Sequence, residues 1–265
     1  MERWTGKVAI ISGASSGIGS AVAVDLVQAG MTVVGLARRA ERVDELQKVI
    51  PSNAKGKLYS LKCDISNDGD VKNAFDWIEK TFGGVHVLVN NAGVSVLTSL
   101  TDDGNEDQLK NVIQTNLWGL VSATKKFFAI VKKYNVVGAH VININSVLGH
   151  DVFPTPLGRN PIYNVYPASK FAVTAVTETL RQEFSYHGLK TKVTSISPGL
   201  VTTEMTTKNG ADRIFKNTPA LKPEDISQAV LYTLGTPEHV QVHEITVRPF
   251  DFSKLDIKQN VRSKM

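Results

Sequence analysis

Tyr166 and Lys170 lie four residues apart in the stretch Tyr166-Pro167-Ala168-Ser169-Lys170. On a helix such a pair shares one face, so a phenol and an ammonium can address the same ligand. A free tyrosine, with a pKa of about 10, is a poor base near neutral pH. A cation about 4 Å away contributes a few kcal/mol in a partly buried site, enough to lower that pKa by a unit or more. The phenol can then take the proton of an alcohol, or return it in the opposite direction. Tyr163 cannot serve in this way, because Pro167 stands four residues after it. Ser146 closes the apolar run Gly138 to Asn145, twenty residues before Tyr166. A hydroxyl at the carboxyl edge of a strand can polarise a substrate oxygen and stabilise charge developing on it. Tyr–Lys pairs are common on solvated helices, so the weight of this one comes from what precedes it.

What precedes it is the stretch from Lys7 to Gly30. An apolar run, Val8 to Ile11, meets a Gly/Ser-rich turn, and Ala21, Val22, Val24, Leu26 and Val27 then follow a helical period. The run reads as a strand buried on both faces and the rest as a helix lying on the sheet. Glycines in the turn let backbone approach a ligand, and a helix N-terminus offers free N–H groups and partial positive charge to a phosphate. Gly13, Ser15, Ser16, Gly17, Ile18 and Gly19 therefore form a candidate cradle for a pyrophosphate. The alternative is a glycine-rich turn that holds nothing.

A second strand, Thr32 to Ala37, ends in Arg38 and Arg39. In a nucleotide fold that position faces the adenosine ribose, where an acidic residue would bind the 2′-hydroxyl of NAD. No acid stands there, and an arginine forms a charge-assisted pair with a 2′-phosphate. NADP is thus expected over NAD, the alternative being two surface charges ahead of a helix from Glu41 to Ile50.

The remaining elements alternate in the same way. Strands are expected at Lys57–Lys62, Val85–Asn90, Gly138–Asn145, Thr191–Ser197 and Val242–Val247. Helices are expected at Asp68–Phe82, Glu106–Tyr134, from Pro167 to near His187, and at Pro223–Gly235. This predicts one α/β domain over residues 1–265: a Rossmann fold with a doubly wound, seven-stranded parallel sheet and helices on both faces. Two segments, about 148–163 with Pro154, Pro156 and Pro161, and 202–221, read as substrate loops. Their apolar residues (Leu148, Val152, Phe153, Leu157 and Ile162; Met205, Ile214 and Phe215) suit a greasy substrate, although loop hydrophobes equally serve packing.

Composition is that of a soluble globular chain, 42% hydrophobic and 21% charged. The net charge of +5 is spread over Lys125–Lys126, Lys132–Lys133 and the tail Lys254, Lys258, Arg262 and Lys264, without interleaved aromatics. That distribution argues against nucleic acid. No apolar run is long enough to span a membrane, and no signal segment precedes the first strand, so a cytoplasmic protein is expected. The single cysteine, Cys63, excludes an internal disulfide and reads as a small buried hydrophobe. No metal site is expected.

Taken in order, the SGASSGIG turn, the tetrapeptide Asn90-Asn91-Ala92-Gly93, Ser146, Y-x-x-x-K and Pro198-Gly199-Leu200-Val201-Thr202-Thr203 resemble the short-chain dehydrogenase/reductase family from Trp4 to about Pro249. MERW, LVQAGMTVVGLARR, HVININSVLGH, ASKFAVTAVTETLRQE and LKPEDIS are similar to a branch containing insect farnesol dehydrogenases and vertebrate enzymes acting on keto-steroids and small carbonyls. The resemblance implies four catalytic residues, Asn116, Ser146, Tyr166 and Lys170, with Asn116 holding a water that links Lys170 to solvent. Lys170 and Tyr166 would also touch the nicotinamide ribose. Asp64 and the backbone of Ile65 would contact the adenine, although an Asp there could instead cap the next helix. Asn91, Ala92 and Gly93 would border the adenosine ribose, and Pro198, Gly199, Val201 and Thr203 the nicotinamide carboxamide, Thr203 being otherwise a cap.

The resemblance further implies NADP dependence, a farnesol-like alcohol or a carbonyl as substrate, and a homodimer or homotetramer built through the long helices. A catalytically silent NADP-binding scaffold is the reading of another class, and the intact Asn116, Ser146, Tyr166 and Lys170 argue against it. Two departures stand out. The Ser146–Tyr166 interval is longer than is usual in the family, so the extra residues should bulge out at the substrate entrance. Asn145 stands where many members have a second serine.

Overall fold

The computed structural model describes residues 1–155, 157–158, 161–208 and 218–250. Pro156, Ile214, Phe215 and the tail cations lie outside the described residues.

The strands are β1 (Val8–Ser12), β2 (Thr32–Ala37), β3 (Lys57–Lys62), β4 (Val87–Asn90), β5 (His140–Ile144), β6 (Lys192–Pro198) and β7 (Glu244–Val247). They form one sheet in the order β3-β2-β1-β4-β5-β6-β7, every pairing parallel. The chain runs outward from β1 to β3, then returns to place β4 on the other side of β1. That reversal opens a crevice at the carboxyl ends of β1 and β4, where ligands bind in open α/β sheets.

Both faces of the sheet are covered, as its strand sequences require. Ala9 and Ile11 of β1 join a core with Val22, Leu26 and Val27 of α1 (Gly17–Gln28) and with Ile226, Val230 and Leu234 near the chain's end. Val8 and Ile10 point the other way, into a core with Phe75 and Ile78 of α3 (Asp68–Phe82) and with Phe127 and Phe184. The period of two in β1 therefore feeds two separate apolar layers.

Two helices differ from expectation. The helix at Glu41 is short: α2 (Glu41–Asp44) tightens at once into a 3-10 turn, Glu45–Lys48. The stretch from Glu106 to Tyr134 is not one helix but α4 (Glu106–Ile113), a π turn at Gln114–Trp118, and α5 (Gly119–Lys133). Periodicity does not reveal a single extra residue per turn, and π turns of this kind gather at functional sites. The remaining helices are α6 (Tyr166–Tyr186), α7 (Glu204–Lys208) and α8 (Pro223–Gly235). Among the described residues no helix is long and apolar enough to cross a membrane.

Candidate active site

Ser146 ends β5's run and caps the 3-10 turn Val147–Gly149, its Oγ accepting from Leu148 N at 3.1 Å. Tyr166 opens α6 and brings its phenol beside Ser146, whose hydroxyl favours the phenolate. The long interval between them does not disturb this register. Asn145 Nδ2 donates to Thr174 Oγ1 (2.9 Å), and Thr174 Oγ1 donates to Gly149 O (3.0 Å), so the strand end is bonded directly to α6. A Cβ on Gly149 would come within 2.7 Å of Asn145 Nδ2 and 2.9 Å of Lys170 O. Asn145, in the position of the family's second serine, is thus part of the contact that holds Ser146 beside Tyr166.

The electrostatics differ from the expectation that Lys170 depresses the phenol's pKa. Burial pushes Tyr166 up to about 12, and the neighbouring Ser146 hydroxyl pulls the other way. Burial also pushes Lys170 down to about 8. The ammonium donates to Ile144 O at 3.0 Å and stands 5.8 Å from the centre of the Tyr166 ring. Desolvation sets the direction of both shifts.

Asn116 sits in the π turn and is 2% exposed. Its Oδ1 accepts from Val94 N (2.8 Å), and its Nδ2 donates to Val94 O (3.0 Å) and Ser169 Oγ (3.2 Å). One amide therefore holds the loop after β4 and the residue next to Lys170.

The crevice itself is built by Ser12 and Asn91. Ser12 Oγ accepts from the backbone N–H groups of Asn91 and Ala92, each at 3.1 Å. Asn91 Nδ2 donates to Ser12 O (2.9 Å) and Gly13 O (3.2 Å). Gly13 and Gly19 are required here for a reason other than ligand approach: a Cβ on Gly13 would lie 2.9 Å from Ala92 Cα, and one on Gly19 would collide with Asn91 Nδ2 and Gly13 O. Asn90 continues the pattern below, donating to Thr124 Oγ1 and Asn143 Oδ1 (2.9 Å each) and fastening α5 and β5 to β4.

Ser16 precedes α1 without its side chain capping the first turn, and that turn contains no acid. Its N–H groups are left for an anion, and Ser15, Gly17 and Ile18 border them, so these residues fit a dinucleotide's pyrophosphate. Arg38 is exposed at the end of β2 and has no ion-pair partner among the described residues. Arg39 instead pairs with Glu204 (2.6 Å), which also takes Arg42 (2.8 Å) and holds that guanidinium above its ordinary pKa. Asp64 does not cap α3; Asn67 does, accepting from Asp70 N. Asp64 Oδ1 accepts from Ser66 N (3.0 Å) and Ser66 Oγ (2.6 Å), and Ile65 is buried against Gly119. On the far side, Gly199 N donates to Val247 O (2.7 Å), fixing the Pro198-Gly199 turn to β7. Val201 is buried and pairs with Leu221, and Thr203 lies against Gly17.

The added residues after Gly149 are anchored at both ends. His150 Nε2 pairs with Glu244 Oε1 (2.5 Å), and the Arg248 guanidinium lies 5.9 Å from the Phe153 ring centre. At the other end, Ser99 Oγ donates to Pro161 O (2.8 Å), and Asn164 Nδ2 donates to Val96 O (2.8 Å) and Thr98 O (3.0 Å). Cys63 stands apart from all this, buried, its thiol pushed up to about 12.

Sequence reasoning missed Ser12, Ser169, Thr174 and Glu204. Each is a common polar residue whose partner lies far away in the chain, and the only local signal was the proximity of each to a motif.

A doubly wound sheet with Ser146, Tyr166 and Lys170 at its carboxyl edge, beside a glycine-cradled helix N-terminus, defines a nucleotide-dependent oxidoreductase class. Residues 7–214 match the short chain dehydrogenase family, to which this chain belongs. It is 52% identical over 250 residues to farnesol dehydrogenase of Aedes aegypti, covering 94% of this chain and 98% of that protein. It is 38% identical over 256 residues to human dehydrogenase/reductase SDR family member 11, covering 94% and 96%. Among solved structures, the closed form of serine dehydrogenase complexed with NADP+ superposes with a TM-score of 0.77 at 30% identity, covering 91% of this chain and 94% of that one.

Proposed function

We propose that this chain is an NADP-dependent dehydrogenase of apolar alcohols, with farnesol or a related isoprenoid alcohol as substrate. The observation that carries the reading is the placement of the half-buried Tyr166 phenol beside Ser146 at the sheet's carboxyl edge, with the buried Lys170 alongside. The dinucleotide, when bound, accepts or supplies the hydride. Ser146 Oγ steadies the substrate oxygen, and Tyr166 Oη takes the alcohol proton. Lys170 Nζ holds the ribose, and Asn116 keeps the turn beside it in place. Gly13, Ser15, Ser16, Gly17, Ile18 and Gly19 hold the pyrophosphate. Arg38 and Arg39 hold the 2′-phosphate, and Asp64 and Ile65 the adenine. Asn91, Ala92 and Gly93 border the ribose, and Pro198, Gly199, Val201 and Thr203 the carboxamide.

The 52% identity to a farnesol dehydrogenase supports the substrate, as do the exposed Val152 and Leu157 in the 148–163 loop. A second reading is carbonyl or keto-steroid reduction with NADPH. A phenol held up to about 12 is protonated at neutral pH and suits proton donation. A cytoplasmic homodimer or homotetramer completes the proposal, with exposed Trp118 and Phe171 on the long helices as its supporting surface.

The test is nicotinamide absorbance with purified protein, NADP+ and farnesol, run beside NAD+ and beside a keto-steroid with NADPH. Farnesol turnover with NADP+ alone supports the dehydrogenase. Steroid reduction without farnesol oxidation moves the assignment to the reductase, and silence on both removes this substrate class.

A further inference from the structure

α7 follows the Pro198-Gly199 turn at the end of β6, yet its first residue, Glu204, meets Arg39 and Arg42 beyond the end of β2. In the sheet order β6 and β2 are separated by β5, β4 and β1. Four strand spacings amount to about 19 Å, and residues 199–204, bent at Leu200 and Thr203, span it together with the long side chains of Glu204, Arg39 and Arg42. They pass over the phosphate cradle: a Cβ on Gly17 would lie 3.1 Å from Thr203 Cγ2. Along the way Thr202 N donates to Leu221 O (2.9 Å) and Leu221 N to Leu200 O (2.8 Å), which stiffens the crossing. Thr206 Oγ1 accepts from Thr203 N (2.9 Å) and closes the first turn of α7.

At the far end Thr203 packs against Gly17, and Glu204 adds two ion pairs. Glu204 Oε2 takes Arg39 Nη2 at 2.6 Å, and Oε1 takes Arg42 Nη1 at 2.8 Å, with the carboxylate 25% exposed. Arg39 is also one of the two arginines placed for a 2′-phosphate. A phosphate and a carboxylate want the same planar donor fork.

We propose that Glu204 is a latch sensitive to the 2′-phosphate: it fastens the 199–208 strap across the cradle through Arg39 and Arg42, and yields Arg39 when a 2′-phosphate binds. The inference rests on the reading of Arg38 and Arg39 as the 2′-phosphate site. It makes Glu204 a determinant of dinucleotide choice, acting from the segment that also carries Thr203. Arg42 stays with Glu204 after the exchange, so the strap loosens without being lost.

The experiment is calorimetric titration of the full chain, wild type and Glu204→Gln, with adenosine 2′,5′-bisphosphate and with ADP, which lacks the 2′-phosphate. Loss of the competing carboxylate should tighten the bisphosphate by roughly three- to tenfold and leave ADP within about twofold. Glu204→Asp, which keeps the charge, should stay near wild type. Hydrogen exchange over residues 200–208 should rise when the wild type takes the bisphosphate but not ADP, and be raised in Glu204→Gln before any ligand is added. Bisphosphate still preferred over ADP, but with Glu204→Gln unchanged or weaker, overturns the latch and leaves the arginine site standing. A wild type that binds both probes equally overturns the arginine site and the latch with it.

Discussion

Asn116 Nδ2 lies 3.2 Å from Ser169 Oγ, so the π turn is bonded to the residue immediately before Lys170. The same amide holds both the N–H and the C=O of Val94. Asn116→Ala would leave those half-buried groups without their partner, at up to about 1–3 kcal/mol each. The expected result is a fall of several degrees in Tm, and a drop in turnover of roughly tenfold or more as Lys170 shifts. Thermal melts and steady-state rates on one preparation check both.

Tyr166→Phe removes the proton-transferring oxygen and leaves the ring that packs beside Lys170. Dinucleotide affinity should hold, while kcat falls by about 10²–10⁴. Unchanged turnover would remove Tyr166 from the chemistry and revive the silent scaffold.

Gly19→Ala places a methyl group against Asn91 Nδ2 and Gly13 O. Neither can yield without breaking the bonds that tie the turn to β4. We expect loss of dinucleotide binding together with a lowered Tm, whereas a ligand-facing glycine would lose binding alone.

Arg38→Asp puts an acid at the end of β2, where the ribose 2′-hydroxyl of NAD would meet it. The ratio of kcat/KM for NADP+ over NAD+ should invert. Equal use of both dinucleotides by the unmutated chain would remove Arg38 from the recognition of phosphate.

The pH dependence follows from two opposed shifts. Burial raises Tyr166 to about 12, so a protonated phenol is available for carbonyl reduction across neutral pH, and alcohol oxidation should accelerate as pH rises. Burial lowers Lys170 to about 8, so its charge is present below that value and lost above it. For stability the signs are opposite. The unfolded Tyr ionises near 10, and the folded chain should lose stability between about 10 and 12. The unfolded Lys takes its proton near 10.4, so stability should also fall as pH drops from there to about 8. Lys170→Met should abolish this second loss in denaturant titrations run between pH 8 and 10.

Much of this molecule was readable from the order of its residues. The alternation of β1, the apolar period of α1, the glycine spacing between them and the Tyr166–Lys170 interval are all local patterns. A sheet with two buried faces and a helix surface leave their periods in the chain itself. Those patterns determined a seven-stranded doubly wound domain and named Ser146, Tyr166 and Lys170.

Tertiary structure decided the rest, because it depends on partners distant in sequence. Asn145, Gly149 and Thr174 set the register of Ser146 with Tyr166 across the long insertion. The direction of the Lys170 ammonium follows from Ile144 O, and the π turn from what Asn116 grips. Arg39 reads as a free cation until the chain returns Glu204 to it from 165 positions away. Spacing fixes which groups share an element, but burial and long-range pairing fix where their charges point.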